Sequence, residues 1–226
     1  MTTLYHVDPY LKEKEGIISA AFEEDDGSFC VAFEDGLFYP QGGGQKGDRG
    51  VIELGGKQYV VSNTVKDPMS SDGRALCILE KPADIKQGDT VVMRLNWEHR
   101  YAQMRLHSIV HLHHCMMEDI VGHSLPNPAT SDINDDGTAY NRYETEEITQ
   151  ELAEQASAKM ATKVAEGASI ETRADDLKAG FRYWESLGHV IPCGGTHLRD
   201  ISEIGRFETQ FGRKKGKPKV GFTLVG

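Results

Sequence analysis

Apolar and polar positions alternate in short runs over the first 95 residues. Residues 17–22 and 29–33 read as strands on either side of Asp25-Asp26-Gly27. Residues 51–54 and 58–61 flank Gly55-Gly56-Lys57, which is a hairpin signal. Residues 75–79 and 90–95 are further strand candidates, and short strands at this spacing predict a small β-barrel. Beyond residue 95 the period lengthens. Asn96 offers an N-cap to a helix that runs to about Val121, with Gly122 as its stop. Thr145 is predicted to cap a second helix, with Glu146 and Glu147 in its first turn. There Ile148, Leu152, Ala156, Met160 and Val164 recur every four residues and form an apolar stripe. Residues 169–172 read as a strand, and residues 206–211 and 220–225 alternate apolar and polar around a basic turn. Residues 124–137, rich in Pro, Asn and Asp, read as an irregular loop. The pattern predicts an α+β chain in two parts: a β-barrel-like domain over residues 1–95 and a mixed helix-and-sheet domain over residues 96–226.

Composition narrows the classes. The 226 residues are 38% hydrophobic and 27% charged, enough to bury a real core. No apolar run approaches the roughly 18 residues that a membrane helix needs, and residues 1–6 show no basic-then-apolar signal pattern. Cys30, Cys77, Cys115 and Cys193 are scattered without disulfide-scaffold spacing, so a reducing, cytoplasmic setting is expected. The net charge of -10 argues against indiscriminate nucleic-acid binding, and neither DNA nor a membrane is expected as a partner. Residues 206–226 differ: six basic residues stand against Glu208 there, a local charge of +5 that leaves -15 elsewhere. Arg213, Lys214, Lys215, Lys217 and Lys219 form either a solvated hairpin tip or a small basic contact for a nucleic acid.

Candidate chemistry changes the picture more. His107 and His111 are four apart in the first predicted helix and so share one face, where Leu106, Ile109, Val110 and Leu112 can flank them inside a core. Far along the chain, Cys193-Gly194-Gly195-Thr196-His197 brings a thiol and an imidazole together, because its glycines let the backbone turn sharply. The two pairs together supply the nitrogen and sulfur set that zinc favours, and one Zn2+ per chain is expected. Cys115 cannot join His107, since eight helical residues span about 12 Å while ligands of one zinc lie about 3 to 4 Å apart. His113 and His114 are then expected to point to the rim or to solvent. Cys193 is either a ligand or a neighbour of the ion that contacts substrate; no positioned base marks it as a covalent nucleophile.

Residues 38–50, Phe-Tyr-Pro-Gln-Gly-Gly-Gly-Gln-Lys-Gly-Asp-Arg-Gly, are the other unusual segment. Gly42, Gly43 and Gly44 permit close approach by a ligand or another segment. Lys46 is not followed by Ser or Thr and a helix, so this is not the phosphate loop of nucleotide hydrolases. A barrel corner is the plain alternative.

Taken in order, residues 38–50, His107-x3-His111, residues 191–197 and Glu203-Ile204-Gly205 resemble the alanyl-tRNA editing family over nearly the whole chain. That family comprises the editing domain of alanyl-tRNA synthetase and its freestanding relatives, and the length suits the medium freestanding form. The resemblance implies hydrolysis of the ester joining a wrong amino acid to alanine tRNA, with serine as the amino acid removed and glycine as a second candidate. An alanine pocket cannot strongly exclude either, because such small differences discriminate only about 10- to 200-fold. It also implies that His107, His111, Cys193 and His197 hold zinc and that Gln45, with the glycines before it, belongs to a motif associated with serine editing. Thr196 is a further substrate-side candidate. The chain departs from the synthetase-embedded pattern after the first helix, where Asn127-Pro128-Ala129-Thr130 stands; Asn127 and Thr130 are carried as candidate contacts. Two other readings stand beside this one: a tRNA- or synthetase-binding module with a structural zinc, and a zinc hydrolase of small esters or amides. The second of these lacks a Glu between His107 and His111 to serve as base.

Overall fold

The computed structural model describes residues 2–70, 73–178 and 180–225. The chain forms two compact units, Met1–Gly42 with Lys46–Tyr101, and Gly43–Gln45 with Ala102–Gly226.

In the first unit the elements are β1 (Thr2–Thr3), α1 (Leu4–Val7), β2 (Glu13–Glu23), β3 (Phe29–Phe33), β4 (Asp35–Gly36), β5 (Gly50–Leu54), β6 (Lys57–Lys66), β7 (Ala75–Leu79) and β8 (Thr90–Leu95). Six of these strands close a barrel in the order β2-β3-β7-β6-β5-β8, all neighbours antiparallel. Closure removes free sheet edges. It is helped by register shifts in β2 at Ile18/Ala20 and in β6 at Val61/Asn63, where an extra residue bends the strand. Ile18, Val31, Phe33, Ile52, Val61 and Met93 alternate inward and fill the interior. One buried ion pair sits in this unit. The Arg100 guanidinium donates through Nε to Asp48 Oδ1 at 2.8 Å and through Nη2 to Oδ2, while Nη1 reaches Pro9 O at 2.9 Å and Nη2 reaches Leu37 O at 3.0 Å. Asp48 Oδ2 also accepts from the Tyr39 amide at 2.5 Å.

The second unit carries most of α2 (Trp97–Val121), then β9 (Thr130–Ile133), β10 (Thr138–Arg142), α3 (Gln150–Glu166), β11 (Glu171–Ala174), β12 (Arg182–Ser186), β13 (His189–Pro192), a 3₁₀ turn (Ile201–Ile204), β14 (Phe207–Lys214) and β15 (Lys217–Leu224). They make one sheet ordered β14-β15-β10-β9 and another ordered β11-β12-β13. Asn96 caps α2 through its Oδ1, which accepts from the His99 amide at 3.1 Å, and Gly122 ends it at φ 75°. Among the described residues no helix is long and apolar enough to cross a membrane.

The α+β class and the barrel are as the pattern predicts; several local expectations are not met. The second long helix starts at Gln150, not after Thr145. Thr149 is its N-cap, accepting from the Leu152 amide at 3.2 Å, while Thr145 accepts from the Glu147 amide within a preceding turn. Burial of Ile148 holds that turn against the core instead of on the helix. The strand expected at 169–172 lies at Glu171–Ala174, because Ser169 bridges to Asp200. The segment 124–137 is not wholly irregular: β9 forms there, paired with β10 from Ile133↔Ala139 to Thr130↔Arg142. Non-local partners of this kind override a loop-like composition.

Candidate metal centre

Helix α2 is apolar on more than one side. Met104, Leu106, Ile109, Leu112, Cys115 and Met116 are all fully buried, so histidines on it enter the interior with them. The expectation that His113 and His114 face the rim is therefore wrong. Both are buried, His113 Nε2 lying 3.1 Å from Ala153 O and 3.2 Å from Ser157 Oγ, and His114 Nδ1 lying 3.4 Å from the Tyr143 hydroxyl. Neither joins the cluster that follows.

His107, His111, Cys193 and His197 each offer a donor atom, and these atoms all lie within 4.8 Å of one another. Cys193 Sγ stands 3.4 Å from His107 Nε2 and 3.2 Å from His197 Nε2. The His107 ring centre is 4.9 Å from that of His111 and 4.3 Å from that of His197. Donors around one tetrahedral zinc-like ion are separated by about 3 to 4 Å, so the set has the size of a single coordination sphere. Two sequence segments 82 positions apart supply it. The four-residue helical repeat stacks His107 beside His111, and β13 delivers the Cys193 loop, whose amide is fixed by Arg182 O at 2.9 Å.

The outer nitrogens of two of the rings are accounted for. His107 Nδ1 is 2.9 Å from Gln45 Oε1, and the same oxygen accepts from the Thr196 amide at 3.0 Å. Gln45 Nε2 donates to Thr196 Oγ1 at 2.8 Å. An amide oxygen can only accept, so His107 Nδ1 must carry the hydrogen and its Nε2 lone pair is left for an ion. His197 Nδ1 contacts Ser108 Oγ at 3.4 Å, again leaving Nε2 inward. His111 Nε2 is sealed from solvent with no hydrogen-bond partner. A buried polar atom left unpaired costs about 1–3 kcal/mol, and a metal ion at the centre would satisfy it. The residues present thus fit a metal ion.

Electrostatics agree. Burial lowers His107 to about 4, and burial followed by the neighbouring imidazoles holds His111 and His197 well below the usual histidine range. All three are neutral at pH 7, the ligating form. Burial pushes the Cys193 thiol up to about 11, opposed by the Gly195 amide. A cation would offset that burial and draw the thiolate form. His107 and His197 are buried while His111 and Cys193 are partly exposed, so the cage has one side nearer to solvent.

Glycine is required at two places here. A Cβ on Gly195 would come within 2.1 Å of His107 Cε1, and one on Gly44, at φ +86°, within 2.4 Å of Ser131 O. The glycine-rich segment is therefore not simply a barrel corner: Gly43, Gly44 and Gln45 belong to the second unit, and Gln45 is fully buried beside the cage. Gly42 remains with the barrel unit, where its carbonyl accepts from the Tyr39 hydroxyl at 3.0 Å. Thr196 is buried next to Gln45. Asn127 is exposed and Thr130 sits on β9, touched by Arg142 Nη2 at 3.4 Å; among the described residues no hydrogen bond ties either to the cage. Arg213, Lys214, Lys215, Lys217 and Lys219 lie on or beside the β14–β15 turn, away from these hydrogen bonds. Two cage neighbours escaped sequence reasoning. Ser108 lies inside the histidine pair and was readable only as a spacer. Trp184, fully buried, places its ring 5.5 Å from that of His111, and only the pairing of β12 with β13, Trp184↔Ile191, brings it there.

The chain is 31% identical over 207 residues to the alanyl-tRNA editing protein AlaX-M of Pyrococcus horikoshii, covering 91% of this chain and 88% of that one. It is 28% identical over 233 residues to the alanyl-tRNA editing protein AlaX-L of the same organism, covering 95% and 55%. It is also 28% identical over 222 residues to the alanine–tRNA ligase of Saccharolobus islandicus, where it spans 24% of the ligase. No protein-family model matches the chain.

Proposed function

We propose that this chain, which belongs to the alanyl-tRNA editing protein family, is a zinc-dependent deacylase that removes serine, and secondarily glycine, from mischarged alanine tRNA. The observation that carries the metal part is the single sphere formed by His107, His111, Cys193 and His197 with an unsatisfied His111 Nε2. The names of the relatives carry the substrate class. Three imidazoles and a thiol match zinc better than magnesium or calcium, which take oxygen ligands. Zinc held there supplies Lewis acidity to the ester carbonyl and to water.

The chain's own residues do the rest. Gln45 holds His107 in the tautomer that leaves Nε2 free, and the same carboxamide ties down Thr196, so one side chain sets both halves of the cage. Trp184, fully buried, packs its ring 5.5 Å from that of His111 and supports that ring from the interior. The partly exposed edge at His111 and Cys193 is the side from which the aminoacyl end would enter. Thr196 lies beside that loop and is our candidate for reading the serine hydroxyl; a site that hydrogen-bonds that hydroxyl rejects alanine because its own polar group would be left unpaired. The structure gives Asn127 and Thr130 no support as substrate contacts at the cage. The basic hairpin, residues 213–219, is proposed as a tRNA contact. A cytoplasmic setting suits this substrate and the four free cysteines.

A second reading is favoured by one observation: all four donors come from protein, and a closed sphere of that kind is usually structural. A binding module would then hold tRNA without cleaving it. The deciding experiment is deacylation of Ser-, Gly- and Ala-charged alanine tRNA, with and without a chelator. Release of serine with Ala-tRNA spared, lost on chelation and in the His107→Ala/His111→Ala double variant, is the expected result. Full turnover in the metal-free double variant would overturn the zinc mechanism, and tRNA binding with no turnover would favour the module.

A further inference from the structure

A second side-chain cluster lies on the sheet β14-β15-β10-β9. Ala139, Asn141, Val220 and Phe222 face the core and are buried. Successive strand residues face opposite sides, so Tyr140, Arg142, Lys217 and Lys219 face outward, and each is partly exposed. The register sets Gly221 opposite Tyr140 on one side and Asp132 on the other, and Gly212 opposite Lys219, so the ring has no side chain beside it on β15. A Cβ on Gly212 would meet nothing within 4 Å.

The charges at this end of the sheet, on the outward face and, for Arg213, on the other side of its strand, are not equivalent. Arg213 is paired with Glu146 at 2.8 Å, Lys217 with Glu144 at 3.8 Å, and Arg142 also with Glu144. Lys214 and Lys219 have no carboxylate within 4.0 Å among the described residues. Both rest on Tyr140: Lys219 Nζ lies 4.4 Å and Lys214 Nζ 4.7 Å from the ring centre, and Lys214 Nζ donates to the Tyr140 hydroxyl at 3.1 Å. A solvated ammonium on an aromatic face is a weak contact. Phosphate is a stronger partner for each lysine, and the ring is a stacking surface for any base.

We propose that this face binds single-stranded RNA, with Tyr140 stacking on one base and Lys214 and Lys219 taking the flanking phosphates. The inference rests on reading the chain as a tRNA-acting protein and names the residue through which a strand is gripped. A ring with bare Gly221 on its β15 side, and Gly212 bare beside Lys219, suits a splayed single strand, since duplex RNA hides its bases. Unneutralised lysines in a chain of net charge -10 provide the local complement to phosphate.

The test is fluorescence anisotropy of the full chain with uncharged alanine tRNA and with an unstructured RNA 12-mer, over a salt series. Tyr140→Ala should weaken binding about 5- to 100-fold with an unchanged salt slope, and Tyr140→Phe should bind within about twofold of the parent because the ring remains. Lys214→Ala with Lys219→Ala should lower the slope of log K against log salt by about 1.4 for the single strand. Tyr140→Leu, which keeps apolar bulk on the sheet, should behave like Tyr140→Ala. Equal binding by the parent, Tyr140→Ala and Tyr140→Leu would overturn the proposal, as would displacement of RNA by polyglutamate with no dependence on Tyr140, which would mark a surface for acidic protein. No ester is cleaved in this assay. Turnover of Ser-tRNA with no Tyr140 effect would remove only this surface, and a Tyr140 effect without turnover would remove only the deacylase reading.

Discussion

A buried polar cluster in each unit of the molecule, Arg100 with Asp48 in one and the His107–His111–Cys193–His197 set in the other, is solved differently. In the barrel unit, Arg100 and Asp48 are sealed from water yet fully answered: the guanidinium spends its donors on Asp48, Pro9 O and Leu37 O, and the carboxylate also takes the Tyr39 amide. In the second unit, three imidazoles and a thiol converge with the outer nitrogens of His107 and His197 bonded and His111 Nε2 left without a hydrogen-bond partner. Completeness marks a group kept for structure. Converging soft donors with an unpaired buried nitrogen, oriented by outside hydrogen bonds, mark a group suited to hold a ligand.

That contrast can be broken most severely at the ion pair. Asp48→Ala should destabilise the protein by about 3–5 kcal/mol, because it leaves a buried guanidinium uncompensated; equilibrium denaturation would read it, and a loss under 1 kcal/mol would place Arg100 in water. The opposite sign is expected in the cage. In metal-free protein His111→Leu should stabilise by up to about 1–3 kcal/mol, since the orphaned nitrogen is removed, whereas in the zinc-loaded protein the same change should destabilise. Gln45→Leu sharpens the picture further: zinc affinity should fall about 10- to 100-fold with the fold intact, as measured by competition with a chromophoric chelator, and unchanged affinity would deny Gln45 its positioning role. The smallest effect is titrimetric. The metal-free Cys193 thiol is protonated below about 11, so zinc binding at pH 7 should release about one proton if Cys193 is a ligand and none if it is a neighbour.

Much of this arrangement was legible in the chain. The helix with its His107 and His111 face, the Cys193–His197 loop and the glycine-rich segment are local patterns, and local patterns survive reading by eye. What escaped was decided by distant partners. His113 and His114 read as surplus polar residues, yet α2 is buried around most of its girth. Trp184 reaches the cage only through the register of β12 on β13. Gln45 belongs by resemblance to a motif associated with serine editing, and its carboxamide bonds His107 and Thr196, a use of the glycine-rich segment that no spacing rule contains.

Gln45 also bears on how the molecule can be taken apart. A fragment cut within α2 at residue 102 would retain every metal donor and would still omit the carboxamide that orients His107, because residues 43–45 arrive from the other side of the cut. The second unit is thus not an autonomous module that can be transplanted as one contiguous stretch. Any graft into another scaffold must carry a three-residue visitor from the barrel's own sequence.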